Sequence, residues 1–453
     1  MKKPRATTVL PREQVVTQKL LRMFQRFTQI EANAGVVLLI TAVAALLWAN
    51  SPWASSYQAL WEAPLGFNVG GFAVSKSLKF WINDAMMALF FLVVGMEIRY
   101  EIHDGSLSDI RQAGLPVSAA LGGVIIPALI YLAFNWEGGR YVGWAVPAAT
   151  DIAFAVGLLA LLGRGIPHAI RIFLLALAII DDMVAVLIIA LFYTTGIDYS
   201  GFLIAGGGVL MVLAMQRMGI GLAWAYVVPG FVVWLGFLIT GINPTLAGVV
   251  LGLLTPVLPR RSRVKPINRV TRFNRQLLSK YGASHEDIIE PLSKLRVAQR
   301  ELLPPVIRVQ ASLDPWVAFL IMPVFAFANA GVGLQGIEFA QTGALWATTG
   351  VAVALLVGKP VGVLVASWLA LRTGLGVLPE GITRGGLLLI GLFAGVGFTM
   401  SIFISTLAFT DENLLNAAKF GVLLGSFAAG LLGLLWGVLW LRQQNKQEVT
   451  DVE

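Results

Sequence analysis

The sequence predicts an all-α polytopic membrane protein with twelve transmembrane helices. Apolar residues make up 57% of its 453 residues and charged residues only 13%, with a mean hydropathy of +0.78. A soluble domain carries about a quarter charged residues. Apolar runs of about 20 residues, each long enough to cross the hydrocarbon core as a helix, recur along almost the whole chain. These runs lack the alternation of a β-barrel, so a helical bundle is predicted.

The runs and the basic residues between them define the topology. An even number of spans puts both chain ends on one side, and 28 of the 33 Lys and Arg residues fall on that side. Because cytoplasmic loops carry the basic excess, both termini are predicted to be cytoplasmic. The few remaining basic residues are Lys76, Lys79, Arg140 and Lys419 on the other face and Lys359 inside a span. The predicted spans lie near 35–49, 82–98, 114–134, 143–163, 170–193, 201–215, 223–240, 244–256, 316–332, 345–371, 386–409 and 417–441.

The regions outside the spans are few. We expect an amphipathic cytoplasmic segment at 1–30, with a disordered basic tail as the alternative. Spans 1–8 fill 31–256 and spans 9–12 fill 316–441, separated by a basic cytoplasmic loop at 257–315 and followed by a cytoplasmic tail at 442–453. The middle of the loop has the pattern of a surface helix.

A β-hairpin is predicted between spans 1 and 2. The stretch GFNVGGFAVS reads as two short alternating strands, covering 67–74, around Gly70 and Gly71. Because an isolated hairpin is barely stable in water, we expect this one to pack on a loop or on a partner subunit.

Charged residues inside the apolar runs are the main functional signal. Asp181 and Asp182 are adjacent in IIDDMVAVLII, although each Asp at a helix centre costs about 2.5 to 3.5 kcal/mol on insertion. The other charged residues within spans or at their ends are Asp84, Glu97, Asp151 and Lys359. Five acids with one base cannot all form ion pairs, so some must be protonated or bind a cation. Carboxylates are hard oxygen ligands, suited to Na⁺ or Li⁺ as well as to protons.

Two spans have interrupted helical patterns. Pro147, Thr150 and Asp151 interrupt the fourth, and GLFAGVGFTMSIFI places glycines and hydroxyl side chains within the eleventh. An unwound stretch exposes helix ends whose dipoles can hold ions. The equivalent placement of the two breaks predicts inverted repeats of spans 3–5 and 10–12. The alternative is that the glycines only allow close helix packing.

Several functional classes are excluded or disfavoured. The chain has no cysteine, so disulfides, thiolate metal sites and cysteine nucleophiles are excluded. The GKP at 358–360 lacks the rest of a phosphate-binding loop, which argues against an ATP-driven pump. We therefore expect a secondary active transporter that is not an enzyme and uses no cofactor. The net charge of +8 mostly reflects topology, so we expect no nucleic-acid partner.

The chain resembles sodium/proton antiporters of the NhaA type. The motifs that carry the resemblance occur in the family's order and cover most of residues 30–442; they are WINDAMMALFFLVVGMEI, PAATDIAFAVGLLALLG, ALAIIDDMVAVLIIALFY, PVFAFANAGV, VGKPVG and GVGFTMSIFISTLAF. This resemblance implies a bacterial inner-membrane protein whose discontinuous helices 4 and 11 cross near mid-membrane. Such antiporters are themselves examples of inverted-repeat transporters, so the repeat prediction is not independent of the resemblance.

The resemblance also implies roles for individual residues. Asp182 matches the principal cation ligand, Asp181 the neighbour that pairs with Lys359, and Thr150 a further ligand. Asp151 and Lys359 match the charges that compensate the helix ends, and Asp84 matches a supporting acid. The hairpin at 67–74 matches the dimer contact. The implied activity is electrogenic: Na⁺ or Li⁺ displaces protons from the paired aspartates, and only loaded forms reorient between the two sides.

The chain departs from the family's pH-response pattern. Titratable residues expected at the start of the ninth span, after the second span and before the TLAG motif are replaced by Gln310, Ala311, Tyr100 and Asn243. Glu97, Glu101 and Asp314 are the remaining candidates for a pH response.

Two other transport functions are compatible with intramembrane acids. A proton-coupled carrier of a small organic cation would need aromatic residues beside the acids, and Phe154 is the obvious candidate. A cation channel would use rings of like charge or carbonyls and would need no Asp–Lys pair. A scaffold without transport is disfavoured by the cost of five intramembrane acids.

Overall fold

The computed structural model describes residues 31–69, 72–105, 110–163, 165–194, 198–257, 266–279, 285–300, 302–333, 339, 342–379 and 381–450. The predicted amphipathic segment at 1–30 and the Gly70–Gly71 turn lie outside these ranges. Within them the protein is mostly helical, as predicted. Among the described residues, eight helices are long and apolar enough to cross a membrane, and the number rises to 11 if each of three bent helix pairs counts as one span.

Sixteen α-helices and one pair of strands make up the described chain. We number the helices α1 Glu31–Ala49, α2 Ala54–Glu62, α3 Leu78–His103, α4 Ile110–Asn135, α5 Ile152–Leu161, α6 His168–Phe192, α7 Tyr199–Met218, α8 Val227–Thr240, α9 Leu246–Leu254, α10 Pro266–Ser279, α11 His285–Arg300, α12 Pro305–Asn329, α13 Gly343–Thr373, α14 Arg384–Ala394, α15 Phe398–Ala408 and α16 Glu412–Thr450. Two 3₁₀ helices, Arg140–Ala148 and Ala223–Tyr226, precede α5 and α8.

The predicted hairpin is present between α2 and α3. Strand β1, Pro64–Val69, pairs antiparallel with β2, Phe72–Ser77, in a register that sets Val69 opposite Phe72. The sheet has only these two strands in the described part of the chain.

The structure differs from the predicted boundaries around the eighth and ninth spans. Helix α9, in the predicted eighth span, has nine residues and is therefore about 14 Å long, too short to cross a membrane alone. The count of twelve spans therefore stays a prediction. Helices α10 and α11 occupy much of the predicted loop, and α12 begins at Pro305 rather than near residue 316.

The helices around the two breaks pack closely. Helix α4 lies along α13, where a Cβ atom added to Gly362 would sit 2.2 Å from the Gly122 carbonyl oxygen. Helix α13 also contains a π-helical stretch, Ala354–Gly358, directly before Lys359. Pro360 follows and has no N–H to continue the regular hydrogen-bond pattern, which explains the local widening.

Candidate functional site: a charged crossing of two broken helices

Two broken helices meet at their breaks, where the sequence predicts discontinuous spans 4 and 11. The 3₁₀ helix Arg140–Ala148 and α5 are bent by 44° relative to each other, and α14 and α15 by 45°. The Asp151 backbone N–H donates to the Val396 carbonyl at 2.8 Å. The Thr150 hydroxyl lies 2.9 Å from the Ala394 carbonyl oxygen. These bonds join the two breaks directly; we call this region the crossing.

A single carboxylate faces the beginnings of both helices that start at the crossing. Asp151 caps α5 by accepting from the Phe154 N–H at 3.0 Å. It also accepts from the Thr399 N–H of α15 at 3.1 Å and from the Thr399 hydroxyl. Since helix N-termini carry partial positive charge and unpaired N–H groups, the buried carboxylate stabilises both ends at once.

A single ammonium group faces one of the helix ends that stop at the crossing. Lys359 Nζ donates to the carbonyl of Ala148, the last residue of the 3₁₀ helix. It also donates to Asp181 Oδ2 at 2.6 Å, and both side chains of this ion pair are 0% exposed. The positive charge thus lies beside the partial negative charge of a helix C-terminus.

The two adjacent acids of α6 have different surroundings. Asp181 Oδ2 accepts from Lys359 and lies 2.7 Å from the Thr150 hydroxyl. Asp182 is 2% exposed. One carboxylate oxygen of each, Asp181 Oδ1 and Asp182 Oδ1, has no hydrogen-bond partner among the described residues. The crossing therefore brings together the carboxylates of Asp151 and Asp181, one ammonium group and two hydroxyls, and the neighbouring Asp182 has a carboxylate oxygen left over.

The candidate pH-response residues are linked to Asp182 through Glu97. Glu97 is among the charges that act on Asp182, and Glu101 and Asp314 act on Glu97 in turn. Asp84 lies elsewhere, in the π-helical stretch Trp81–Met86 of α3. The charge that acts on Asp84 is Lys76, not a residue of the crossing. The crossing thus contains four of the predicted residues: Thr150, Asp151, Asp181 and Lys359. Asp84 lies outside it.

Sequence reasoning missed some polar groups. The predicted site did not include Thr399 or the Ala148 and Ala394 carbonyls, which become available only where the helices stop. The count of one base inside the spans was wrong, because Lys419 of α16 is also buried, at 4% exposure. Lys419 lies near the start of the predicted span, and was therefore counted among residues that reach water.

Comparison with known proteins identifies the family of this chain. A family profile described as Na⁺/H⁺ antiporter 1 matches residues 25–437. The chain belongs to this family. A Na⁺/H⁺ antiporter NhaA of Bordetella petrii is 60% identical over 446 residues, which are 97% of this chain and 95% of that protein. The NhaA of Cupriavidus necator is 59% identical, covering 96% of this chain and 93% of that protein. NhaA 2 of Pseudomonas putida strain F1 is 58% identical, covering 96% of both.

The match to the family includes every residue of the crossing. The matched range also contains the hairpin strands and the helices α10 and α11. The matches to the Bordetella petrii and Cupriavidus necator proteins extend over 95% and 93% of those proteins.

Proposed function

We propose that this chain is a secondary active transporter that exchanges Na⁺ or Li⁺ for protons across the bacterial inner membrane. In this proposal Asp181 and Asp182 bind the exchanged ions, with Thr150 as a further oxygen ligand. The observation that carries it is the imbalance of buried charge at the crossing. Lys359 pairs with Asp181 and the helix N-termini occupy Asp151, whereas Asp182 Oδ1 has no partner among the described residues.

Competition between a proton and a cation follows from this imbalance. A charged carboxylate in the membrane interior is costly unless it is neutralised. Either a proton or an alkali cation neutralises Asp182, and each must leave before the other binds. The antiport activity named for the relatives requires this alternation, since it prevents release of one ion without uptake of the other.

The ion pair between Lys359 and Asp181 supports electrogenic exchange. A cation placed between the two aspartates competes with the Lys359 ammonium for Asp181 Oδ2. Lys359 must then release its proton or keep only its bond to the Ala148 carbonyl. Because both aspartates exchange protons for one monovalent cation in this proposal, more than one proton can move for each cation.

The two breaks support alternating access. The first broken helix packs against α4 and α6, which flank it in the sequence, and the second packs against α13 and α16, which flank it in the same way. This is the order expected for inverted repeats of spans 3–5 and 10–12. The loaded site would open to one side or the other when this unit shifts against the remaining helices. A bare Asp182 charge opposes that shift, which is why only neutralised forms reorient.

The hairpin supports a homodimer. A two-stranded sheet is marginal alone, and its outer edges are available to extend the sheet with a second copy. Leu65, which is 54% exposed in β1, gives a direct test because the chain has no cysteine. A Leu65→Cys variant should form covalent dimers in membranes with a short bifunctional thiol reagent, whereas Leu203→Cys, 82% exposed in α7, should not.

The carrier of an organic cation has less support. Phe154, the aromatic residue expected to form part of its site, packs against Phe398 with ring centroids 5.4 Å apart. A ring held in this way is part of the packing at the crossing and does not form an open aromatic cage.

The test measures exchange in inverted membrane vesicles with a respiration-generated proton gradient and a pH-sensitive dye. Addition of Na⁺ or Li⁺ should collapse the gradient, and Asp182→Asn should prevent this collapse. Asp198→Asn is the matched control, because Asp198 is an exposed cap of α7 and its loss should leave exchange intact. Exchange that persists in Asp182→Asn would exclude the proposed site. A rate that does not respond to an imposed membrane potential would contradict electrogenic exchange.

A further inference from the structure

Helices α10 and α11 form a basic helical hairpin outside the apolar bundle. The hairpin is tied to the bundle at both ends, because α9 precedes α10 and α12 follows α11. The two helices pack against each other. Only four residues, about 14 Å of extended chain, separate the end of α11 from the start of α12, which is long and apolar enough to cross a membrane.

Helix α10 has charge of only one sign. Its 14 residues, PINRVTRFNRQLLS, contain Arg269, Arg272 and Arg275 and no acid. The segment 258–265 before it has four more basic residues and again no acid. A basic run of this kind beside apolar helices is typical of segments that bind anionic lipid headgroups.

Two of the three arginines of α10, Arg272 and Arg275, lie opposite its packed face. Val270, Phe273 and Leu277 are spaced by three and four residues and are half-buried, as expected for the side that contacts α11. Arg272 and Arg275 are exposed and lie roughly 140° to 200° around the helix from Val270. The apolar face is therefore covered within the hairpin, and the arginines point away from it.

Helix α11 adds exposed apolar side chains. Ile289 is 64% exposed and Leu292 39% exposed, and Arg296 is exposed on the same side of the helix. Pro291 and Ala298 face the other way and are buried. The buried residues mark the side of α11 that packs on α10, so the exposed apolar pair lies on the outer side of the hairpin, apart from the arginine face of α10.

We propose that the α10–α11 hairpin binds the surface of a bilayer that contains anionic phospholipids, through the exposed arginines of α10. Charge complementarity selects this partner: the arginine face has no acid to repel a phosphate, and the hairpin is already held beside a membrane. This surface is separate from the crossing, and the ion exchange proposed above does not depend on it.

The test uses the full chain in nanodiscs, with a fluorophore on a single cysteine at Gln276→Cys. Gln276 is exposed on α10 beside the arginines, and the chain has no other cysteine. Quenching by a spin label on lipid headgroups is compared between discs of phosphatidylcholine alone and discs that contain phosphatidylglycerol. We expect stronger quenching in the anionic discs, with loss of the difference in high salt.

Charge variants distinguish specific binding from mere proximity. The triple variant Arg269→Gln, Arg272→Gln, Arg275→Gln should weaken docking about a hundred-fold, since each basic residue near an anionic surface strengthens binding roughly five-fold. The matched triple Arg→Lys variant keeps the charges and should dock as the unmodified helix does. Quenching that is equal in the two kinds of disc, or unchanged in the Gln triple variant, would overturn the proposal.

Discussion

Lys359 Nζ lies 2.6 Å from Asp181 Oδ2, and neither side chain is exposed. A buried ion pair contributes little net stability, because both charges lose their water. Removal of one partner destabilises the protein, since it leaves an uncompensated charge in the interior. The pair therefore links the stability of the protein to the protonation of its proposed ion site.

Lys359→Ala should destabilise the protein by about 3 to 5 kcal/mol, the usual cost of breaking a buried pair from one side. The double variant Lys359→Ala, Asp181→Asn should lose less than the sum of the single variants, because no uncompensated charge remains. Thermal unfolding in detergent, followed by intrinsic tryptophan fluorescence, measures this double-mutant cycle. Additive losses would show that the two residues do not interact energetically.

Asp151→Ala should destabilise the crossing more than Asp198→Ala destabilises the exposed start of α7. Both residues are helix caps, but Asp151 accepts from α5 and from α15. Its loss leaves buried N–H groups unpaired at about 1 to 3 kcal/mol each. Melting temperatures of the two variants make the comparison. An Asp198→Ala loss as large as that of Asp151→Ala would argue against a double capping role.

The charged residues of the crossing were predictable because charge inside an apolar run is rare and costly. Asp151, Asp181 and Lys359 stand out against their neighbours for this reason, and the structure brings them together. The Ala148 carbonyl could not be recognised in the same way. Every residue has a carbonyl, and only the tertiary crossing decides which one is left outside a helix.

The hydroxyl groups and the short eighth span were harder to predict for a related reason. Thr399 has intermediate hydropathy and does not interrupt the apolar pattern, so its bond to Asp151 could not be predicted from the sequence. The apolar run at 244–256 directly follows Asn243, whose side chain accepts from the Thr245 N–H at 3.0 Å. This local bond competes with helix formation and delays the start of α9 until Leu246.

Glu97→Gln should shift the onset of ion exchange to lower pH. A negative charge at Glu97 repels that of Asp182 and so favours the neutralised forms of the Asp182 carboxylate over the empty, charged form. The variant removes this repulsion, so the charged form needed for cation binding is reached at a lower pH. Asp314→Asn acts on Glu97 and only indirectly on Asp182, so its shift should be smaller. The pH for half-maximal Na⁺-dependent exchange in vesicles measures both. Equal shifts, or a shift to higher pH in Glu97→Gln, would contradict this order of interactions.

Gly362→Ala should destabilise the packing of α13 on α4 and slow exchange. The added Cβ would sit 2.2 Å from the Gly122 carbonyl oxygen, and backbone on both sides leaves no flexible group to move away. Overpacking of this kind costs about 1 to 3 kcal/mol.

Gly206→Ala in α7 is the matched control, since its Cβ would have no atom within 4 Å, and alanine favours a helix over glycine by about 1 kcal/mol. Unfolding in detergent should therefore separate the two variants in opposite directions. A Gly362→Ala protein as stable as the Gly206→Ala protein would mean that the helices can separate without cost, and that close packing does not hold α13 and its Lys359 against the crossing.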